Sequence, residues 1–148
     1  MKRVLSCILV MVLLLSVIPV CGSAAEADMI LYQDGGYAVI EITSLGSRAS
    51  GTVTGSKTYT YYDSDDVAQW KAILTGKFTY TGSASTCTSS SVSTTIYDST
   101  WYAVSKSASK SGNTATAYVK MGDAPDGVTV IIVPVSLTLS CDANGNLS

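Results

Sequence analysis

Between Val67 and Tyr80 the chain alternates with a period of two. Ala68, Trp70, Ala72, Leu74, Gly76, Phe78 and Tyr80 fall on even positions, with Gln69, Lys71, Thr75, Lys77 and Thr79 between them. Successive strand residues point to opposite faces, whereas a helix repeats about every 3.6 residues, so this run predicts a long strand with one buried face. Trp70, Leu74 and Phe78 head the expected core. The pattern returns near the end, where Ile131, Val133, Val135, Leu137, Leu139 and Cys141 share one face and Ser136, Thr138 and Ser140 the other. Pro134 falls on the second parity. Lacking an N–H for a neighbouring strand, it marks an edge strand or a bulge.

Weaker strands are expected over about Thr86 to Tyr97, Trp101 to Ser109 and Thr114 to Met121, the last with Ala115, Ala117, Val119 and Met121 on one side. Turn residues separate them at Thr81-Gly82-Ser83, Asp98-Ser99, Ser111-Gly112-Asn113 and Asp123 to Gly127. Cys87 is out of phase with Val92 and Ile96, which requires a bulge if all three face inward. Lys57 to Asp63 should pair with the long strand across Ser64-Asp65-Asp66. Upstream, Gly35-Gly36 between Met29 to Gln33 and Tyr37 to Thr43 suggests a short hairpin, followed by a Gly/Ser/Thr-rich linker over Ser44 to Gly55. No segment has a helical period. The expected fold is an all-β antiparallel sandwich of immunoglobulin-like type over residues 56–148, preceded by a hairpin and linker over 28–55.

Residues 1–27 read as a secretory signal: basic Lys2 and Arg3, an apolar run from Val4 to Val20, and small residues from Gly22 to Ala27 around a cleavage site. Small side chains stand at the required places for a cut after Ala27 or after Ala25. The apolar run approaches the roughly 20 residues of a membrane anchor. Ser16 and Pro19 interrupt it, however, and no basic residue follows before Arg48, which favours cleavage and leaves no membrane span. Cys21 also admits a lipoprotein reading, but the residue before it, Val20, is not small.

A cut after Ala27 leaves 121 residues, room for one domain, with seven Lys and Arg against ten Asp and Glu. So mild and scattered a charge gives no footprint for nucleic acid. Cys7 and Cys21 leave with the signal, and Cys87 and Cys141 remain to form one disulfide in an oxidising compartment. Closing a loop of that length stabilises a domain by roughly 3 to 4 kcal/mol in the chain-entropy model. Ser and Thr supply 36 of the 121 residues. Regular apolar positions between them make this the wet face of a sheet rather than a disordered stalk.

The chain contains no histidine. That removes Ser-His-Asp and Cys-His catalysis, and a metal or redox role for the cysteine pair would need close spacing or further ligands, which a chain without histidine does not supply. A hydrolase built on an acid pair stays open in principle, but Asp63, Asp65, Asp66, Asp98, Asp123, Asp126 and Asp142 all sit at expected turns. Two acidic turns are calcium candidates: Asp63, Asp65 and Asp66, and the D-x-N-x-N run of Asp142, Asn144 and Asn146. For the second, a hairpin turn at Asn144-Gly145 is an equal reading. No cofactor is expected. Tyr59, Tyr61, Trp101 and Tyr102 are candidates for stacking on a sugar ring, with core packing and cross-strand pairing as the alternative.

The segments Trp70-Lys71-Ala72, Thr75 to Gly82, Thr86 to Ser89, Tyr97 to Trp101, Ser109 to Asn113 and Cys141 to Ser148 carry a resemblance. Over about Gly55 to Ser148 the chain resembles a family of small secreted proteins from clostridia and related Gram-positive bacteria for which no activity is known. The resemblance implies secretion and the cysteine pair, and it supplies no catalytic residue. The acidic loop Asp123 to Gly127 departs from the family pattern. Together these readings lead to a secreted or cell-surface, non-catalytic interaction module whose partner is an extracellular protein or a glycan. A carbohydrate-binding module using exposed Tyr and Trp is the alternative.

Overall fold

The computed structural model describes residues 27–45, 51–128 and 130–148. The expected export signal, apart from Ala27, lies outside the described residues. Eight strands follow one another: β1 (Ala27–Leu31), β2 (Tyr37–Ser44), β3 (Thr52–Tyr62), β4 (Ala68–Tyr80), β5 (Ser85–Ile96), β6 (Trp101–Ser111), β7 (Thr114–Asp123) and β8 (Ile131–Ser140). The first five form one antiparallel sheet and the last three a second, each in chain order.

The alternation predicted for β4 fixes the inner face of the larger sheet. Trp70, Leu74 and Phe78 are fully buried, and the cross-strand register carries the same face into Tyr61, Tyr59 and Ala38. The smaller sheet presents Ala115, Ala117, Val119 and Met121 from β7 and Val135, Leu137 and Leu139 from β8. The two inner faces close a single core, so the architecture is a β-sandwich. Small residues on β7 opposite large ones on β4 let the sheets approach. An added Cβ on Gly76 would stand 2.7 Å from the Phe78 ring and 3.2 Å from the Ala115 Cβ of the facing sheet.

Ser and Thr line the outer faces, in rows such as Thr43, Ser56, Thr75 and Ser91 on the larger sheet and Ser109, Thr116 and Thr138 on the smaller. The expected bulge is present: Lys77 pairs with Ser89 and Phe78 with Cys87, leaving Thr88 as the extra residue. Its hydroxyl donates to the Lys77 carbonyl at 3.0 Å. That insertion turns Cys87 inward beside Phe78 while Val92 keeps its place against the core.

Two expectations need correction. The connectivity is a meander: each strand pairs with its sequence neighbour, and the chain changes sheet once, across the turn between β5 and β6. An immunoglobulin sandwich needs Greek-key connections, whereas here the order within each sheet follows the chain. The hairpin expected within 28–55 forms, but β2 pairs along its length with β3, and Ala38 is fully buried, so it is part of the sandwich. β3 itself starts inside the stretch expected to be linker. Cys87 and Cys141 are both buried, with their sulfurs not bonded to each other. The Cys87 thiol points to the Ser89 carbonyl at 3.3 Å and the Cys141 thiol to the Asp142 carbonyl at 3.4 Å.

Candidate functional site

One end of the sandwich is filled by aromatic rings. Trp70 stacks on Tyr59 and Tyr61, with centroids 5.2 and 5.9 Å away, and Trp101 from the smaller sheet tilts against both Tyr61 and Trp70 at 5.4 and 5.7 Å. Tyr32, in the turn after β1, meets Tyr61 edge-on at 5.6 Å. The register explains the gathering, since Tyr61 lies opposite Trp70 and beside Ala38, whose small side chain leaves room for the rings.

Their polar tips are paired. Tyr32 and Tyr59 share a hydrogen bond between hydroxyls, and the Tyr61 hydroxyl donates to Asp34 Oδ2 at 3.2 Å. Asp34 Oδ1 meanwhile accepts the Gly36 N–H at 3.0 Å and holds the β1–β2 turn. Burial, then the bond to Tyr32, pushes the Tyr59 phenol well above its ordinary range. Burial first and the Asp34 carboxylate second push Tyr61 up to about 12. Both hydroxyls are therefore protonated near neutrality. The Trp70 indole N–H is buried without a hydrogen-bond partner among the described residues.

This placement decides the fate of the sugar-stacking candidates. Tyr59 is only 2 % exposed, and Tyr61 and Trp101 are likewise buried, so their faces are spent on one another. Tyr102 differs, being 40 % exposed on the outer face of the smaller sheet. It lies across from Gly122, and an added Cβ there would stand 2.6 Å from Tyr102 Cζ and 2.9 Å from both Cε2 and Oη. With the ring carbon nearer than its two neighbours, the ring lies flat over the glycine and turns its other side to solvent. Ile132, half exposed, continues the row on β8. A second flat pair, Tyr37 on Tyr62 at 4.9 Å and 9° between planes, lies on the outer face of the larger sheet.

Asp63, Asp98 and Asp142 are occupied by their own turns, whereas Asp123 Oδ1 is buried without a hydrogen-bond partner among the described residues. Asp63 Oδ1 accepts the N–H groups of Asp65 and Val67 at 2.9 Å each, and Oδ2 accepts Gln69 Nε2 at 2.6 Å. Asp66 adopts a left-handed φ of 63° in that turn. Asp98 Oδ1 accepts the N–H and hydroxyl of Thr100 at 2.8 Å each, which hold its pKa below the ordinary value. Asp142 Oδ1 takes the N–H groups of Asn144 and Asn146, and Oδ2 takes the Asn146 side chain, all at 2.8 Å. Those bonds, the Asn146 side chain first, likewise depress the Asp142 pKa. The D-x-N-x-N run is thus a closed hairpin turn. No group of three or more His, Cys, Asp or Glu side chains able to hold a metal ion occurs among the described residues. Nor is any helix among them long and apolar enough to cross a membrane.

At the opposite end, the β6–β7 turn clamps both cysteines. Gly112 O accepts the Cys87 N–H at 2.7 Å, and the next carbonyl, Asn113 O, accepts that of Cys141 at 3.1 Å. Asn113 Nδ2 returns a bond to the Cys141 carbonyl at 2.8 Å, and the Ser85 hydroxyl donates to the same carbonyl.

No family model, curated protein or solved structure matches the chain. Sequence reasoning missed Tyr32 and Asp34, which lie far along the chain from the residues they contact. It also missed the support that Gly122 gives to Tyr102, although an aromatic and a glycine within two neighbouring strands was a usable signal.

Proposed function

We propose that this chain is a secreted or cell-surface interaction module that binds without catalysis, through the exposed end of its smaller sheet. The observation that carries the reading is the row Tyr102, Gly122, Ile132: a ring held flat by a glycine, beside an uncovered aliphatic side chain. Exposed apolar side chains that are grouped and held in place mark binding surfaces more often than scattered ones do. Asp63, Asp98 and Asp142 are each engaged by their own turn and are not placed as an acid and base pair, which supports the non-catalytic half of the reading.

The test is binding of labelled protein to immobilised extracellular proteins and to a glycan array. Tyr102→Ala should lower retention on whichever surface binds by about tenfold, the scale of losing one anchoring ring, with no change in melting temperature. Unchanged binding would overturn this choice of surface. The flat, outward face of Tyr102 also favours the carbohydrate reading, because sugar rings stack on such faces. Competition by free oligosaccharide separates the two: it abolishes binding if the partner is a glycan and leaves it intact if the partner is a protein.

Secretion would place the two thiols in an oxidising compartment, where the finer claim is a Cys87–Cys141 disulfide. What supports it is that consecutive carbonyls of one turn hold both residues and that both lie buried at one end of the core. Non-reducing mass mapping of the exported protein checks it; two free thiols would end the claim.

A further inference from the structure

The outer face of the smaller sheet carries a single charge, and it is positive. In the phase turned away from the core, β7 presents Thr114, Thr116, Tyr118, Lys120 and Gly122. β6 presents Tyr102 and then serine at every such position from Ser105 to Ser111, and β8 presents Ile132, Pro134 and a run of Ser and Thr. No Asp or Glu stands in that phase on any of the three strands, although the chain has 11 acidic residues against nine basic ones. Asp123, which ends β7, falls in the inward phase with Met121.

β7 is the central strand of the three, so its backbone groups are bonded on both sides and only its outward face is open. The Tyr102 ring over Gly122, then Lys120, then Tyr118 make one line along it, in steps of about 7 Å. Lys120 Nζ stands 5.7 Å from the centre of the half-exposed Tyr118 ring, whose electron-rich face steadies the ammonium. Pro134, exposed on β8, is its cross-strand neighbour and offers it no acid.

Taking Tyr102 as the anchoring ring of the proposed binding surface, on which the assignment rests, we infer that this line binds a linear acidic polysaccharide. One sugar stacks on the open side of Tyr102, Lys120 pairs with the carboxylate or sulfate of that sugar or the next, and a later ring packs against Tyr118. Charge selects the anion. A neutral partner covering Lys120 would strip water from an unpaired ammonium, and a cationic one would be repelled. The strand selects a sugar chain over an acidic peptide, because an extended peptide gains affinity from main-chain bonds to a sheet edge, and β7 has no free edge. With a net charge of −2 the chain as a whole does not attract polyanions, so binding has to come from this local cation.

The test uses the exported protein and two matched pairs of immobilised polymers, polygalacturonate with its full methyl ester and dextran sulfate with plain dextran. Polyglutamate serves as the acidic peptide. At least one acidic polysaccharide should retain the protein about threefold to fivefold better than its uncharged counterpart, the scale of one exposed ion pair. Lys120→Gln should bring retention down to the uncharged level, whereas Tyr102→Ala should lower it on both members of the pair. Both variants should melt with the unaltered protein, since neither side chain belongs to the core. Retention on neither acidic polysaccharide, equal retention within both pairs, an acid preference that survives Lys120→Gln, or stronger retention on polyglutamate would overturn the assignment. Should Tyr102→Ala still weaken whatever binding remains, the surface stands and its ligand class alone falls; binding indifferent to both variants would remove the surface as well.

Discussion

Asp34 uses one carboxylate twice, holding the β1–β2 turn through Gly36 and accepting the Tyr61 hydroxyl. This ties a surface turn to the aromatic end of the core and has a pH signature. The fold favours protonated Tyr61, whose pKa is pushed up to about 12 from an ordinary 10.0, so between those values the native state binds more protons than the unfolded one. The stabilisation is fully present below the ordinary value and is lost as pH rises through the folded one. Tyr59, raised by burial and Tyr32, acts in the same direction. Urea denaturation should therefore show stability falling from about pH 10 towards about pH 12. Asp34→Asn should bring the Tyr61 phenolate absorbance in at lower pH. Glycines give a second residue-scale prediction. Gly76→Ala forces a methyl against the buried Phe78 ring and Ala115 and should cost about 1 to 3 kcal/mol. Gly122→Ala meets the half-exposed Tyr102 ring first, which can swing into solvent, and should cost less than about 1 kcal/mol while releasing the ring from its flat pose. Chemical denaturation of the two variants compares them directly.

Among the elements, β4, β7 and β8 were legible because each has one buried face, and burial on one face is what a period of two records. β6 was legible only in outline: after Trp101 it is exposed on both sides, and Lys106 and Lys110 stand in the phase of the buried β7 residues they oppose. Alternation also says which face a residue occupies but not which strand lies beside it, so the meander was not readable. The gathering of Tyr32 and Asp34 with Tyr61 and Trp70 depended on that pairing and was hidden for the same reason. The bulge was readable, because Cys87 and Val92 cannot both face inward without an extra residue. Deleting Thr88 should leave both facing inward on a regular ladder. The expected cost is about 1 kcal/mol, for the lost bond to the Lys77 carbonyl, and a melting curve measures it. Unfolding on deletion would show that the bulge itself is required for the fold.

For the molecule as a whole, the larger sheet is wider than the smaller, so β1 and part of β2 extend beyond the covered core. The opposite end is held by the β6–β7 turn, where both cysteines are anchored. Were the thiols joined, the link would tie β5 to the end of β8, and reductant should then lower stability by about 4 kcal/mol. That loss is visible as a fall in melting temperature that cysteine-to-serine variants do not show. The strand order has a further consequence, for the order in which the chain is made. Synthesis starts at the N-terminus, and in a meander the partner of each new strand is the one completed just before it. Only β1 and β6, which open the two sheets, wait for the strand that follows them before their backbone groups are satisfied on one side, and the mean separation between contacting residues stays low for an all-β chain. The exception is the clamp at the β6–β7 turn. It reaches from Cys87 to Cys141 and can close only when the last residues are present. Assembly can thus run strand by strand, with a single locking step at the end.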